Sequence, residues 1–128
     1  MGKVPTRLVA RNADTGEVVA NRVTVATTRV ERAVGLLKHT HLPEDEGLLI
    51  MPCRGVHTCG MRFAIDVVAL DEAGKVVDAV ERLGPWRIRL PRPGAVSVLE
   101  LPAGSLSRSR TARGHRIELQ LVPAWEVS

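Results

Sequence analysis

The sequence predicts an α+β domain built on a mostly antiparallel, barrel-like β-sheet of about seven strands, with one main helix and room for a second short one. Short strand patterns follow one another in hairpin order, and only one segment has a strong helical pattern. Val, Leu, Ile and Ala must fill most of the core, because the chain has no Tyr, one Phe and two Trp. At 128 residues the chain has the usual size of one domain, and we expect residues 1–128 to form it.

The amino-terminal part predicts a hairpin and a further strand. Residues 7–11 and 17–19 have strand character, and residues 12–16 between them carry the Asn, Asp and Gly that favour turns. In residues 22–26 polar and apolar side chains alternate, which predicts a half-buried strand.

The clearest helix is predicted over residues 28–37. Thr28 and Glu31 form a capping box at its start. Its apolar side chains recur at the spacing of one helical face, so one stripe of the helix is expected to face the core. These positions are Val30, Ala33, Val34 and Leu37. The acidic residues 44–46 follow after the periodicity has ended and predict a solvated loop.

Two continuous apolar runs, residues 47–51 and 63–70, are typical of strands buried inside a sheet. A loop is predicted between them, over residues 53–60. Residues 71–74 then provide a turn into residues 75–80, which predicts a second hairpin. A parallel sheet is disfavoured, since it needs a crossover connection between most strands and the chain offers one strong helix.

The carboxyl-terminal part predicts two more strands. Residues 84–94 are rich in Pro and Gly and indicate irregular structure before a strand at residues 95–101. Residues 105–113 can form a short helix that Ser105 caps. The last strand, residues 116–121, alternates cleanly, and its apolar side chains are expected to face the core. These side chains are Ile117, Leu119 and Leu121.

Positive charge is concentrated in the second half of the chain. The sequence has 15 Arg, 3 Lys and a net charge of +4, and from Arg82 to Arg116 eight Arg stand against one acid, Glu100. Such an excess can attract phosphates, acidic partners or an anionic substrate, whereas a solvated Arg-rich surface is the alternative. Nucleic acid is a disfavoured partner, because the chain has almost no aromatic side chains on which bases can stack.

The lengths of the apolar segments and the number of Cys indicate the cellular compartment of the protein. No segment near the amino terminus has the apolar stretch of a secretory signal, and nothing approaches the ~20 apolar residues of a membrane span. Two Cys are too few for a disulfide scaffold. We therefore expect a cytoplasmic protein with reduced thiols and no membrane contact.

Four side chains that can bind soft metals lie within nine residues, namely Cys53, His57, Cys59 and Met61. By ligand type they suit copper or zinc, which makes Cys53, His57 and Cys59 a candidate metal site. The spacing of the two Cys does not match structural zinc motifs, and a loop with partly buried Cys and Met side chains is the alternative. A Cys near a His can also act as a nucleophile, although the chain has no Cys-x-x-Cys motif.

Two carboxylates stand in otherwise apolar strand segments, where an unpaired charge would be costly. Asp66 therefore needs a partner. On a straight strand Arg62 would lie on the same face as Asp66, about 13 Å away from it. Direct pairing therefore needs a bend in the chain, and a backbone N–H or His57 is the alternative partner. Glu100 stands in a similar setting. If the two strands are neighbours, Asp66 and Glu100 could approach each other and act as acid and base, whereas a lone acid that fixes local structure is the alternative.

Three segments of the sequence together resemble a known family. They are residues 46–50, residues 53–71 and residues 98–104. With these segments and the predicted helix, the chain is similar to domain-of-unknown-function family 192 from residue 23 to residue 121. The resemblance implies no established activity. It implies recurrent motif positions, and Cys59 departs from them because an aromatic residue is usual there. The matching positions are His57, Met61, Asp66, Glu100 and Gly104.

Three functions follow as hypotheses. The first is a small-molecule binding module with a polar pocket around the His57 loop. The second is an enzyme in which His57 and Asp66 or Glu100 act as acid and base. The third is an anion or nucleic-acid binder that uses the run from Arg82 to Arg116. The candidate pocket residues are His57, Met61, Arg62, Asp66 and Glu100.

Overall fold

Ten β-strands and one short helix make up the regular structure of the described residues. The structure, a computed structural model, describes residues 4–26, 43–51, 63–84 and 92–126, and the backbones of residues 56–57 and 88–89. The helix predicted over residues 28–37 lies outside these ranges. No described helix has the length and apolar character needed to cross a membrane. The elements are β1 (Thr6–Asn12), β2 (Val18–Ala20), β3 (Arg22–Ala26), β4 (Glu46–Ile50), β5 (Val56–His57), β6 (Ile65–Leu70), β7 (Val76–Leu83), β8 (Ile88–Arg89), β9 (Ser97–Pro102), α1 (Ser105–Ser109) and β10 (Ile117–Pro123).

The first sheet has three strands in the order β10-β1-β2. β1 and β2 pair antiparallel, which confirms the hairpin predicted in the amino-terminal part. On its other side β1 pairs antiparallel with β10 over its whole length, from Thr6 opposite Pro123 to Asn12 opposite Ile117. The first and last strands of the described chain therefore lie side by side.

The second sheet has five strands in the order β3-β4-β9-β6-β7. β6 and β7 form the second predicted hairpin. β3 and β4 are parallel, from Arg22 opposite Glu46 to Ala26 opposite Ile50. The described sheet is mostly antiparallel, as predicted, with one parallel pair that the sequence pattern did not indicate. Parallel neighbours need a long connection, and residues 27–45 are numerous enough to supply it.

β5 and β8 form a separate two-stranded ribbon in segments where the sequence predicted irregular structure. Strands of two residues are too short to produce a periodic pattern, so the sequence could not reveal them. The three sheets of the described residues remain separate, and the barrel-like arrangement is not confirmed. The described fold is predominantly β with one short helix, consistent with the α+β class in a coarse sense.

Both faces of the five-stranded sheet are buried. One face packs against the three-stranded sheet and α1, in a cluster that includes Leu49, Leu101 and Ala10. The other face carries a second cluster, which includes Leu48 and Val67. Because neighbouring residues of β4 and β6 are buried on opposite faces, these strands are continuous apolar runs instead of alternating ones. The predicted interior position of both strands is confirmed.

β10 is an edge strand, and this position corrects the predicted burial of its side chains. Ile117 is 4% exposed, whereas Leu119 and Leu121 are 40% and 72% exposed. Strand alternation gives all three the same face, but of the three only Ile117 belongs to the core cluster between the sheets. Alternation identifies the apolar side of a strand and does not show how far the opposite layer extends, which is why the prediction for both Leu residues is wrong.

Candidate functional site

Asp66 is a fully buried carboxylate that three backbone N–H groups hold in place. Its exposure within β6 is 0%. Oδ1 accepts the N–H of Arg82 at 2.9 Å, and Oδ2 accepts those of Gly104 at 3.1 Å and Leu106 at 2.9 Å. Hydrogen bonds to both oxygens offset the cost of removing the carboxylate from water. Backbone N–H groups, one of the partners considered from the sequence, therefore satisfy Asp66.

Arg82 occupies a bulge in β7 that Asp66 stabilises. The pairing of β6 with β7 changes register between Ile65 and Val67, so Asp66 stands against two residues of β7. Arg82 has a φ of 53°, in the left-handed region that side chains other than Gly rarely adopt. The bulge leaves the N–H of Arg82 bonded to the Asp66 carboxylate, while the Arg82 side chain is exposed.

The same carboxylate replaces a side-chain cap at the start of α1. The N-cap residue is Gly104, with a φ of 97° and no capping side chain. Asp66 accepts the Leu106 N–H, one of the donors that a helix start leaves without an intrahelical partner. The predicted Ser105 cap is wrong, since the Ser105 hydroxyl donates to the Pro102 carbonyl at 2.6 Å. A carboxylate from a distant strand has taken the capping role.

Glu100 is also 0% exposed, but it lies on the other face of the sheet. In β9, Glu100 stands opposite Val67 of β6 and Leu48 of β4, whereas Leu101 stands opposite Asp66. Directly opposed residues of neighbouring strands share a face, and consecutive residues alternate between faces. Asp66 therefore shares a face with Leu101, and Glu100 shares the opposite face with Val67.

This register separates the two candidate carboxylates. β6 and β9 are neighbours, as an acid–base pair would require, yet the sheet lies between the two side chains. A pocket on one face can include Asp66 or Glu100 but not both. The three backbone hydrogen bonds of Asp66 favour the alternative in which a buried acid fixes local structure, and they disfavour Asp66 as an acid or base for His57.

The described backbone brings the His57 segment beside the Arg-rich segment. In the β5–β8 ribbon, Val56 lies opposite Arg89 and His57 lies opposite Ile88. The sequence had singled out these two segments for different reasons, one for its polar loop and one for its charge. The candidate residues Met61 and Arg62 lie outside the described residues, so their positions relative to the ribbon are not part of the structure.

The candidate metal ligands are residues whose side chains the structure does not describe. Cys53 and Cys59 lie outside the described residues, and His57 is described by its backbone. Where side chains are described, no group of three His, Cys, Asp or Glu could hold a metal ion. Copper or zinc binding by Cys53, His57 and Cys59 therefore stays a prediction.

Some arginines of the run from Arg82 to Arg116 have partners within the protein. The guanidinium of Arg108 donates to the carbonyls of Val18 and Val19, each at 2.8 Å, and so ties α1 to β2. Each of these bonds occupies a guanidinium N–H group that would otherwise be available to a phosphate or a carboxylate of a partner. Two other arginines form ion pairs, Arg92 with Asp78 at 3.5 Å and Arg110 with Glu17 at 3.6 Å.

A buried polar network near α1 has no counterpart in the sequence-based predictions. Asn12 is 0% exposed, and its Oδ1 accepts the N–H groups of Asp14 and Thr15 at 2.8 and 3.0 Å. Its Nδ2 lies 3.0 Å from Thr111 Oγ1 and 3.1 Å from His115 Nδ1. The sequence feature that could have indicated this network is an Asn, Asn12, in a predicted turn segment, because Asn side chains often bond to the backbone of turns. Its partners stand 99 and 103 residues further along the chain, beyond the reach of local patterns.

A surface cavity of about 220 Å³ lies beside the turn between β2 and β3. It contains none of the candidate pocket residues, and so it gives no support to a ligand site at His57, Asp66 or Glu100. Its lining residues are Val18, Asn21, Glu44, Asp45 and Arg108.

Comparisons with known proteins agree with the resemblance seen in the sequence. The model of domain-of-unknown-function family 192, described as Uncharacterized ACR, matches residues 10–119. The chain belongs to this family. A UPF0127 protein of Thermococcus sibiricus is 31% identical over 121 residues, which cover 91% of this chain and 73% of that protein. A UPF0127 protein of Pyrococcus abyssi is 31% identical over 102 residues, which cover 76% and 85%.

Solved structures share the fold of this family 192 chain. A protein from Sinorhizobium meliloti matches with a TM-score of 0.74 at 22% identity, over 92% of this chain and 96% of that chain. A protein of unknown function from Novosphingobium aromaticivorans matches with a TM-score of 0.71 at 23% identity, over 88% and 83%. At such identities the likeness concerns the fold alone.

Two of the positions by which the sequence resembles family 192 have a structural explanation in this chain. Asp66 accepts the Gly104 N–H at 3.1 Å, and the φ of 97° at Gly104 would strain any side chain. Together these two residues maintain the turn between β9 and α1. Glu100, a third position of the resemblance, stands in the interior of the sheet a few residues before Gly104, in β9.

Proposed function

We propose that this family 192 protein is a binding module for a small anionic molecule, with its site at the ribbon of β5 and β8. One observation supports the proposal most strongly: the backbone of Val56–His57 pairs with that of Ile88–Arg89. Imidazole and guanidinium groups are donors that recognise carboxylates and phosphates. The ribbon therefore unites the polar loop of the first sequence hypothesis with the arginines of the third.

Local charge favours an anion over a cation as the ligand. Residues 82–92 contain four Arg and no Asp or Glu. Arg92 has an ion-pair partner in Asp78, and the Arg82 side chain is exposed. An excess of one charge at a small site raises the local concentration of ligands with the opposite charge.

The candidate residues take different parts in this proposal. Met61 and Arg62 follow His57 closely in sequence and are proposed to complete the ligand site. Asp66 is proposed to position the backbone, because N–H groups already occupy both of its oxygens. Glu100 is a candidate residue of the ligand site if the pocket adjoins the other face of the sheet, the one that does not carry the Asp66 side chain.

A small molecule is proposed in preference to a nucleic acid. Arg92 and Arg110 form ion pairs within the chain, and two backbone carbonyls accept N–H groups of Arg108. The chain also has few aromatic side chains for base stacking. An extended basic surface, which nucleic-acid binding requires, therefore has little support among the described residues.

Isothermal titration calorimetry can test the proposal with citrate, inorganic phosphate and a short single-stranded DNA as probes. We expect citrate or phosphate to bind, and His57→Ala and Arg89→Ala each to weaken that binding about tenfold or more. Arg113→Ala is the matched control, since it removes the same charge from the exposed turn before β10 and should bind as the unmodified protein does.

Two outcomes would contradict the proposal. Equal losses in Arg89→Ala and Arg113→Ala would indicate binding to net charge instead of a site. Tighter binding of the DNA than of either small anion, with a steep salt dependence, would indicate a nucleic-acid surface.

A further inference from the structure

We infer that the surface cavity beside the turn between β2 and β3 binds a small α-amino acid. Its lining residues include two carboxylates, those of Glu44 and Asp45, and one guanidinium, that of Arg108. An α-amino acid carries an ammonium group and a carboxylate on the same carbon atom, so one ligand can satisfy both signs of charge. The cavity shares no residue with the β5–β8 ribbon, and this site is therefore separate from the proposed anion site.

The charged groups of this cavity still have hydrogen-bonding capacity for a ligand. Among the described residues, no hydrogen bond or ion pair uses the carboxylate of Glu44 or of Asp45. A guanidinium has five N–H donors, and Arg108 gives one to the Val18 carbonyl and one to the Val19 carbonyl. Acceptors for an ammonium group and donors for a carboxylate therefore line the same cavity without being paired with each other.

Backbone contacts hold these groups in place before a ligand binds. The two hydrogen bonds from Arg108 to β2 are each 2.8 Å long and fix its guanidinium against that strand. The carbonyl of Asp45 accepts the N–H groups of Asn21 and Arg22 at 2.8 and 3.0 Å, which fixes the acidic segment against the start of β3. A site with an ordered framework loses less conformational entropy when a ligand binds.

Size and charge together select the class of ligand. The cavity volume of about 220 Å³ is roughly seven times the volume of one water molecule in the liquid, which suits a ligand the size of an aliphatic amino acid. Val18 is the apolar residue of the lining, and an aliphatic side chain can pack against it. The two carboxylates disfavour a phosphate ligand, and Arg108 disfavours a metal cation. A zwitterion with an aliphatic side chain, such as leucine, meets all of these conditions.

Isothermal titration calorimetry with leucine tests the ligand class. Isocaproate has the leucine skeleton without the ammonium group, and isoamylamine has it without the carboxylate. We expect leucine to bind saturably and each analogue to bind about tenfold more weakly or less, because each leaves one sign of charge in the cavity without a partner. No binding of leucine, or equal binding of leucine and either analogue, would overturn the inference.

Charge-removing variants test the location of the site. Glu44→Gln and Asp45→Asn keep the shape of each side chain, and each should weaken leucine binding about threefold or more. Glu72→Gln is the matched control, since it removes the same charge from the exposed turn between β6 and β7 and should bind leucine as the unmodified protein does. Circular dichroism verifies that each variant is folded. An equal effect of the cavity variants and the control would indicate a response to net charge and would overturn the inference.

Discussion

The carboxylate of Asp66 accepts the backbone N–H of Arg82 at 2.9 Å, and this bond joins a buried acid to a residue in a strained conformation. The other oxygen of the carboxylate bonds to Gly104 and Leu106. One side chain therefore stabilises two left-handed backbone positions, Arg82 in the β7 bulge and Gly104 before α1. The connection among β6, β7 and α1 depends on a negatively charged group that accepts hydrogen bonds at both oxygens.

Asp66→Asn should destabilise the fold by about 2–3 kcal/mol, because the amide nitrogen would face a backbone N–H that needs an acceptor. Asp71→Asn is the control. Its Oδ1 alone accepts the N–H groups of Ala73 and Lys75, so an asparagine oxygen can replace it at a cost of about 1 kcal/mol or less. Urea denaturation measures both free energies of unfolding. Equal losses would contradict the role given to the second oxygen of Asp66.

Arg82→Gly should stabilise the protein by about 0.5–1 kcal/mol, since glycine adopts a φ of 53° without steric strain. The neighbouring Glu81→Gly has no such strain to relieve and should destabilise by about 0.5–1 kcal/mol through lost backbone order. Both side chains are exposed, so the pair isolates the backbone effect. Thermal unfolding that lowers the midpoint equally in both variants would contradict the assigned strain.

Gly74→Ala should cost about 3 kcal/mol or more, because it combines a left-handed backbone with a steric clash. The φ of Gly74 is +83°, and a Cβ there would lie 2.5 Å from the Ile117 carbonyl oxygen. Gly16, at φ +77°, has no atom within 4 Å of such a Cβ, so Gly16→Ala should cost about 1 kcal/mol. Chemical denaturation compares the two. A similar cost at both positions would contradict the close approach of the β6–β7 turn to β10.

In its neutral form, His115 should carry its proton on Nε2. Its Nδ1 accepts the Ala112 N–H at 3.2 Å and lies 3.1 Å from Asn12 Nδ2. The Asn12 amide orientation is determined, because its oxygen accepts two backbone N–H groups. Long-range proton–nitrogen NMR correlations of the imidazole report the tautomer. A proton found on Nδ1 would contradict the polar network.

Sequence patterns predicted most of the described strands, and the exceptions have physical causes. β6 was predictable because burial on both faces requires a continuous apolar run. β5 and β8 were not, since two residues cannot show a period. The burial of Leu121 was predicted wrongly because alternation along β10 says nothing about the size of the opposing sheet. The parallel pairing of β3 and β4 depends on which strands become neighbours in the fold, and no sequence pattern within either strand indicates this.

The candidate site was predictable in part. Charge in an apolar strand correctly marked Asp66 as a residue that must have partners. Its three backbone donors could not be foreseen, because they come from β7 and from the turn before α1, far along the chain. The same holds for the opposite faces of Asp66 and Glu100, since the register between β6 and β9 decides them and the spacing within either strand does not.

Amide chemical-shift mapping of nitrogen-15-labelled protein with citrate and inorganic phosphate tests the proposed ligand site at the β5–β8 ribbon most directly. We predict saturable shifts concentrated at residues 56–57 and 88–89, lost in His57→Ala and retained in Arg113→Ala. The absence of saturable shifts, or shifts spread equally over exposed arginines such as Arg113 and Arg116, would contradict a ligand site at the ribbon.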